Sequence, residues 1–383
     1  MLSYTETCEI PGITVAGANT DFIKFTPPAD AEFLHYGYCK SIDIIPMTPD
    51  GKPTPALLTK ASLESASIPQ VIINAGSKIS PKLPYFQTGI PHGKNIAIEP
   101  ALEQSNVVQA IDYGRILGRT LASSTDCLII GESVPGGTTT ALAVLKSLGI
   151  DAHVSSSMPE NPQSLKNGVV EKALARSDSK EPYDVIANAG DPMIPFVAGM
   201  LSTASKITNV ILAGGTQMAA VLAIGKSLGY DQNKVVLGTT SYIIDDKNAN
   251  LLDTVKSISD IPVLSIDPKL NDSKFDGLRA YSKGFVKEGA GAGGSMISSI
   301  LKTGISSKKL LQLIDKEYTR ITTSQYLILL NFLDNQDLFS FLMQSNMTAI
   351  ELGQFQLRDI APHQLKVYQS NNHKHCFFCL IFQ

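Results

Sequence analysis

Two glutamates stand inside glycine-rich stretches of this sequence, each oddly placed for a merely solvated charge. Glu132 lies in Gly131-Glu132-Ser133-Val134-Pro135-Gly136-Gly137-Thr138-Thr139-Thr140, and Glu288 opens Glu288-Gly289-Ala290-Gly291-Ala292-Gly293-Gly294. Between them comes a third run, Gly214-Gly215-Thr216-Gln217. Successive glycines let backbone N–H groups converge on an anion, and threonines beside them cap a helix or bind phosphate oxygens. Gly136, Gly137, Thr138, Thr139, Gly214, Gly215, Thr216, Gly289 and Gly291 are therefore the candidate phosphate and ribose holders. A carboxylate beside such a cradle repels the ligand unless it has a separate task, such as taking a proton. Burial in a cleft would raise its pKa toward neutrality and make it a usable base. For Glu288 the alternative is a helix N-terminal glutamate stabilised by the dipole, and the sequence leaves both open.

The first loop has P-loop spacing, but Gly137 stands where the phosphate-binding lysine should be. A cradle without that lysine is poor for nucleotide triphosphate hydrolysis and points to a phosphorylated small molecule. A tight turn that binds nothing would explain one such loop; three in one chain favour an anion site. Gly289, Gly291 and Gly294 also satisfy G-x-G-x-x-G, so an NAD-dependent oxidoreductase is one alternative. No strong strand precedes that run, and no acid-ending strand follows about 20 residues later. A non-catalytic mononucleotide-binding module is the other alternative.

Weaker candidates have sufficient structural explanations. Asp191-Pro192 reads as a helix N-cap followed by a first-position proline, Asp245-Asp246-Lys247 as a solvated turn, and His153 as a core histidine on a strand. His373-Lys374-His375-Cys376-Phe377-Phe378-Cys379 has soft-ligand spacing without a second Cys/His pair. No metal site and no cofactor are expected.

The loops need elements to hold them. Short β-branched runs, each followed by a turn and an Ala/Leu-rich segment of helical spacing, recur from about residue 67 to 303, the signature of βα units on a parallel sheet. Expected strands are Pro69–Asn74, Asp126–Gly131, Ala152–Ser155, Tyr183–Asn188, Asn209–Ala213, Lys234–Leu237 and Pro262–Ile266. The fold class is α/β, with residues 67–303 as its main domain. Residues 1–66 form a mixed N-terminal segment, residues 304–345 C-terminal helices (Leu310–Tyr318 and Gln325–Leu342), and residues 346–383 a tail. Asn74–Tyr85 offers apolar surface, and Ser77, Pro84 and Tyr85 there, with the amide of Gln217, are candidate contacts for an aromatic base; loop packing explains the first three equally.

With 32 basic and 35 acidic side chains among 383 residues, the chain has no basic footprint for nucleic acid. Five scattered cysteines suit reduced thiols. No run approaches the roughly 18 apolar residues of a membrane span, and the expected location is cytoplasmic.

Val134-Pro135-Gly136-Gly137-Thr138-Thr139-Thr140, Gly190-Asp191-Pro192-Met193 and Gly214-Gly215-Thr216-Gln217-Met218 resemble the nicotinate-nucleotide–dimethylbenzimidazole phosphoribosyltransferase family, in its archaeal and cyanobacterial branch. The resemblance runs from about residue 5 to about residue 320. It implies a Rossmann-like three-layer α/β/α fold, a small helical domain built from both chain ends, and a homodimer. It implies transfer of phosphoribose from nicotinate mononucleotide to a benzimidazole nitrogen, giving α-ribazole phosphate for the lower ligand of cobalamin. It places the catalytic base at Glu288 and matches the family's phosphate-loop glutamate to Glu132. Ser133, Val134, Pro135 and Gly137 stand where the bacterial branch has Met, Gly, Ile and Asn, and Lys287 replaces a Gly. The accepting base is thereby left open between dimethylbenzimidazole, another benzimidazole and adenine.

Overall fold

The structure, a computed structural model, describes the backbone of residues 1–333 and the side chains of residues 1–323. The tail expected over residues 346–383, the His373–Cys379 cluster and the part of the expected Gln325–Leu342 helix beyond 333 lie outside the described residues. The first compact unit is Met1–Thr322 and the second begins at Thr323.

In chain order the elements are α1 (Thr20–Ile23), α2 (Thr26–Tyr36), α3 (Ala56–Ser65), β1 (Ile73–Asn74), β2 (Phe86–Gln87), α4 (Gln104–Ala122), β3 (Cys127–Gly131), α5 (Gly137–Ser147), α6 (Gln163–Leu174), α7 (Pro182–Ala189) and α8 (Met193–Ala204). There follow β4 (Asn209–Ala213), α9 (Thr216–Leu228), β5 (Val235–Thr240), α10 (Ser241–Ile244), α11 (Leu251–Ile258), β6 (Val263–Ile266), α12 (Asp276–Arg279), α13 (Ala292–Thr303) and α14 (Ser307–Leu333). Strands β3 to β6 form one parallel sheet in chain order, with Ile130 paired to Leu212 and Leu212 to Leu237. β1 and β2 form a separate parallel pair. Among the described residues no helix is long and apolar enough to cross a membrane.

The sheet is covered on both faces, the arrangement that parallel strands require. Ile130, Val210, Leu212, Val235 and Leu237 join residues of α4, α5, α7, α8 and α9 in one core. A second core lies around α13 and brings together Phe33, Leu57 and Leu58 near the start of the chain with Tyr281, Met296, Leu310 and Ile314. Hydrogen bonds join the same distant stretches, from Thr59 Oγ1 to the Ala290 carbonyl and from Tyr281 OH to the Pro53 carbonyl. Residues 1–5 take a different course: Leu2 N–H donates to Ile73 O and Ser3 N–H to Ser133 O, so the segment threads between β1 and the end of β3.

Two of the expected strands are absent. Tyr183–Asn188 lies in helix α7, started by Pro182 and with Val185, Ile186 and Ala189 buried; its β-branched pair imitates a strand, but a first-position proline suits a helix. Ala152–Ser155 has no regular secondary structure and joins no sheet. Of Pro69–Asn74 only Ile73–Asn74 pairs. His153 is no core residue: its side chain is 57% exposed and stands 3.7 Å from Asp151.

Helices α4 and α8 meet backbone to backbone. A methyl on Gly114 would lie 2.1 Å from the Phe196 carbonyl oxygen, one on Gly118 2.5 Å from that of Met200, and one on Gly199 2.3 Å from that of Ile111. No rotamer change relieves a clash with backbone, so Gly114→Ala is expected to cost roughly 3 kcal/mol. Urea unfolding checks this, as a lower midpoint at unchanged slope.

Candidate functional site

The loops after β3, β4 and β5 open into one cleft, where open α/β sheets bind ligands. It encloses about 1080 Å³, including space open to solvent, and Asp30, Glu132, Gly136, Gly137, Thr138, Lys166, Gly215, Thr216, Gln217, Glu288 and Gly289 line it. Of the phosphate candidates, Thr139, Gly214 and Gly291 lie behind this wall. Thr139 is fully buried, Gly214 stands against Met218, and Gly291 against the Gly131 backbone.

One end of the cleft is built for an anion. Gly215, Thr216 and Gln217 surround the N-terminus of α9, where unpaired N–H groups and the helix dipole favour negative charge. Thr216 Oγ1 and Gln217 Oε1 are buried and make no hydrogen bond among the described residues, and buried polar atoms ordinarily have partners. The Val134–Thr139 turn contributes less than its glycines suggest. The Gly137 N–H donates to Val134 O and the Thr139 N–H to Gly136 O, which leaves Thr138 to face the cleft. A Cβ at 137 would lie 2.0 Å from Gln217 Oε1, so a side chain there would displace the Gln217 amide from its place in the cleft.

The cation comes from elsewhere. Lys166, on α6, is 1% exposed, and its ammonium donates to the Ser155 carbonyl at 3.0 Å. Burial, together with the charge of Lys287, pulls its pKa down to about 8. It was invisible as a site residue because α6 reads as an ordinary polar helix. The available signal was its register: Lys166, Val169, Val170 and Ala173 are the buried residues of α6, so a lysine occupies the apolar stripe.

Glu288 lies in a strained loop. Val286 and Ala290 have φ of +48° and +49° and Gly291 +71°; a β-branched residue in the left-handed region is an outlier of the kind that collects at functional sites. The Glu288 carboxylate accepts from the N–H groups of Gly289 (3.1 Å), Gly293 (3.1 Å) and Thr240 (3.0 Å) and from Thr239 Oγ1 (3.3 Å). It keeps some exposure to the cleft. Dense protein around it still pushes its pKa up to about 7 against the pull of those donors. The carboxylate therefore fills the α13 N-terminus that a dinucleotide pyrophosphate would need. The glycines beyond it serve packing: a methyl on Gly294 would lie 2.3 Å from Ala213 Cβ.

Other acids gather nearby. Burial raises Glu132 to about 8, opposed by the Met1 amino group and reinforced by Asp191 and Glu288. Asp191 does more than the expected cap. α8 begins one residue later than expected, at Met193, whose N–H donates to Asp191 Oδ1, while Asp191 Oδ2 accepts from Thr140 Oγ1 at 2.5 Å. Asp30, missed in the sequence, takes Thr54 Oγ1 and Ser133 Oγ, both at 2.7 Å. Asp246 is no solvated turn residue: its carboxylate meets Lys287 Nζ at 2.7 Å, with the two side chains 4% and 7% exposed. Among the described residues no group of three or more His, Cys, Asp or Glu is placed to hold a metal ion.

Three base candidates are not brought to the cleft. The Ser77 N–H caps Asn74 Oδ1 and its hydroxyl donates to Ile79 O, Tyr85 packs on Leu2, Ala31 and Ile72, and Pro84 is not among the lining residues. Gln217 does line it. Apolar lining comes instead from Ile13, Val15, Met47 and Met158.

A family model described as phosphoribosyltransferase matches residues 64–237. A UPF0284 protein of Archaeoglobus fulgidus is 49% identical over 84% of this chain and 92% of its own length. One from Pyrococcus furiosus is 41% identical over 84% of this chain and 97% of its own length. The solved nicotinate-nucleotide-dimethylbenzimidazole phosphoribosyltransferase of Thermus thermophilus superposes with a TM-score of 0.55 at 18% identity, covering 81% of each chain. The chain belongs to the UPF0284 family and has the fold of the nicotinate-nucleotide–dimethylbenzimidazole phosphoribosyltransferases.

Proposed function

We propose that this chain transfers phosphoribose from nicotinate mononucleotide to a ring nitrogen of a benzimidazole-type base. One observation carries the proposal: a single cleft sets Lys166 and the α9 N-terminus, groups for a phosphate, in the same space as Glu288, a carboxylate poised near neutrality. The family model and the solved neighbour's name support it.

The donor already has a pyridinium leaving group, so the reaction needs positioning and charge balance more than an acid. A ring nitrogen of the base attacks the anomeric carbon, and the bond to the pyridinium nitrogen breaks with its electrons returning to nicotinate. The proton lost by the accepting ring passes to Glu288. Lys166, Thr138 and the Gly215–Thr216 turn hold the phosphate. Ile13, Val15, Met47 and Met158 give the base an apolar wall, and Gln217 its polar contact. Cobalamin lower-ligand assembly, a homodimer and a cytoplasmic setting go with this proposal.

The direct test is incubation of the protein with nicotinate mononucleotide and a panel of benzimidazoles and purines, scored by mass for riboside phosphate and released nicotinate. Binding of the nucleotide without any product from any base would leave a binding module.

The pH profile follows from the two groups. Glu288 must be ionised to accept a proton, so kcat/KM rises through its pKa of about 7. Lys166 must be charged to hold the phosphate, so kcat/KM falls above about 8. Burial sets the Glu288 limb against the donors Gly293, Gly289, Thr240 and Thr239, and burial with Lys287 sets the Lys166 limb against the charge of Asp246. A narrow bell centred between the two values is the expected measurement.

A further inference from the structure

The glutamate and the lysine of the cleft are joined by a chain of buried contacts that the reaction itself does not call for. Lys166 Nζ donates to the Ser155 carbonyl at 3.0 Å, and the Ser155 hydroxyl donates to Asp246 Oδ2 at 2.6 Å. The same Asp246 oxygen meets Lys287 Nζ at 2.7 Å. Lys287 directly precedes Glu288, its carbonyl accepts from Thr240 Oγ1 at 2.7 Å, and the Val286 N–H donates to Ser157 O at 2.9 Å. The strained Val286–Gly291 loop is thereby tied to Asp246 and Met158 through the Lys287 ammonium, to Thr240 through the Lys287 carbonyl, and to Ser157 through the Val286 N–H.

The charges do not cancel. Lys166 and Lys287 are both buried and share one carboxylate, Asp246, which pairs with Lys287 at 2.7 Å and acts on Lys166 only as a nearby charge. An uncompensated cation in a protein interior is costly unless a ligand completes it, and a phosphate monoester brings close to two negative charges.

We propose that the buried Asp246–Lys287 pair is the positioning device of this site. It holds the Glu288 loop at a fixed distance from the Ser155–Met158 stretch, so that the anion taken up by Lys166 and the aim of Glu288 are set by one connected frame. Asp246 is a positioning residue: it acts on Glu288 through Lys287. This rests on the reading of Glu288 as proton acceptor.

The test uses the full chain and two readouts, calorimetric binding of inorganic phosphate and steady-state transfer from nicotinate mononucleotide. Asp246→Asn leaves Lys287 without its carboxylate, so phosphate is expected to bind as well as before or more tightly, while kcat falls by about tenfold or more as the loop loses its tie. If that variant fails to fold, the double variant Asp246→Asn with Lys287→Gln decides, because it leaves no unpaired buried charge. It is expected to bind phosphate within about threefold of wild type and to show the same loss of kcat. A merely structural role would move the melting temperature and leave kcat and phosphate affinity together. Wild-type kcat in the double variant overturns the proposal, and so does a loss of phosphate affinity in step with kcat. If the wild-type chain binds phosphate but transfers nothing, the transferase reading fails and takes this inference with it. Transfer by wild type and double variant alike sinks this inference alone.

Discussion

Glu288→Gln is expected to lower turnover of nicotinate mononucleotide and base by on the order of a hundredfold or more while the nucleotide still binds. The amide cannot take the proton released by the accepting ring, and nothing at the phosphate end of the cleft is altered. The substitution also has a structural cost, because the carboxylate now accepts from Gly289, Gly293, Thr240 and Thr239. An amide offers one oxygen to these donors and turns an NH₂ group toward the rest. That mismatch is worth about 1–3 kcal/mol of stability. Turnover, nucleotide affinity and melting temperature should therefore be measured together. Near-wild-type turnover would remove Glu288 from the mechanism and leave it as the N-terminal anchor of α13.

Lys166→Met should act with the opposite sign on binding and stability. A charge-assisted hydrogen bond to phosphate is worth about 2 kcal/mol, so KM for the nucleotide should rise by about thirtyfold. The free chain should become more stable, by about 1–3 kcal/mol, because a lysine whose pKa has been pulled from 10.5 to about 8 is charged at a cost in the folded state. Methionine fills much of the same volume beside Val169 and Val170 without that cost. Weaker binding with a raised melting temperature is the expected pair of results. A lowered melting temperature with unchanged KM would make Lys166 a structural residue.

How much of this was legible in the sequence depended on locality. Strand Asn209–Ala213 was read to the residue, and the end of β3 at Gly131 likewise, because a strand buried on both faces and its glycine turn are local signals. Tyr183–Asn188 failed, because Val185 and Ile186 suit a strand as well as a buried helix face, and only tertiary packing decides between them. The same limit governed the cleft. Glu132, Glu288 and the glycine turns announce themselves by composition. Lys166, Asp30 and Asp246 look like solvated charges until the fold buries them. The Gly136-Gly137 pair misled in a subtler way: the Gly137 N–H and the Gly136 carbonyl close their own turn, and no spacing rule distinguishes a turn that satisfies itself from one that waits for a ligand.

The second core has a consequence for the order of events in folding. Its contacts join residues separated by more than half of the chain, with 231 positions between Thr59 and Ala290 and 234 between Ser65 and Ser299. During synthesis at roughly 5–20 residues per second, Phe33, Leu57 and Leu58 wait for Met296 and Leu310 until most of the chain has emerged. The sheet can assemble first, because its strands follow one another in sequence. Glu288 and Asp30 come together only when the second core has closed, so in refolding experiments the ability to bind phosphate, which rests on Lys166 and the α9 N-terminus, should return before transfer.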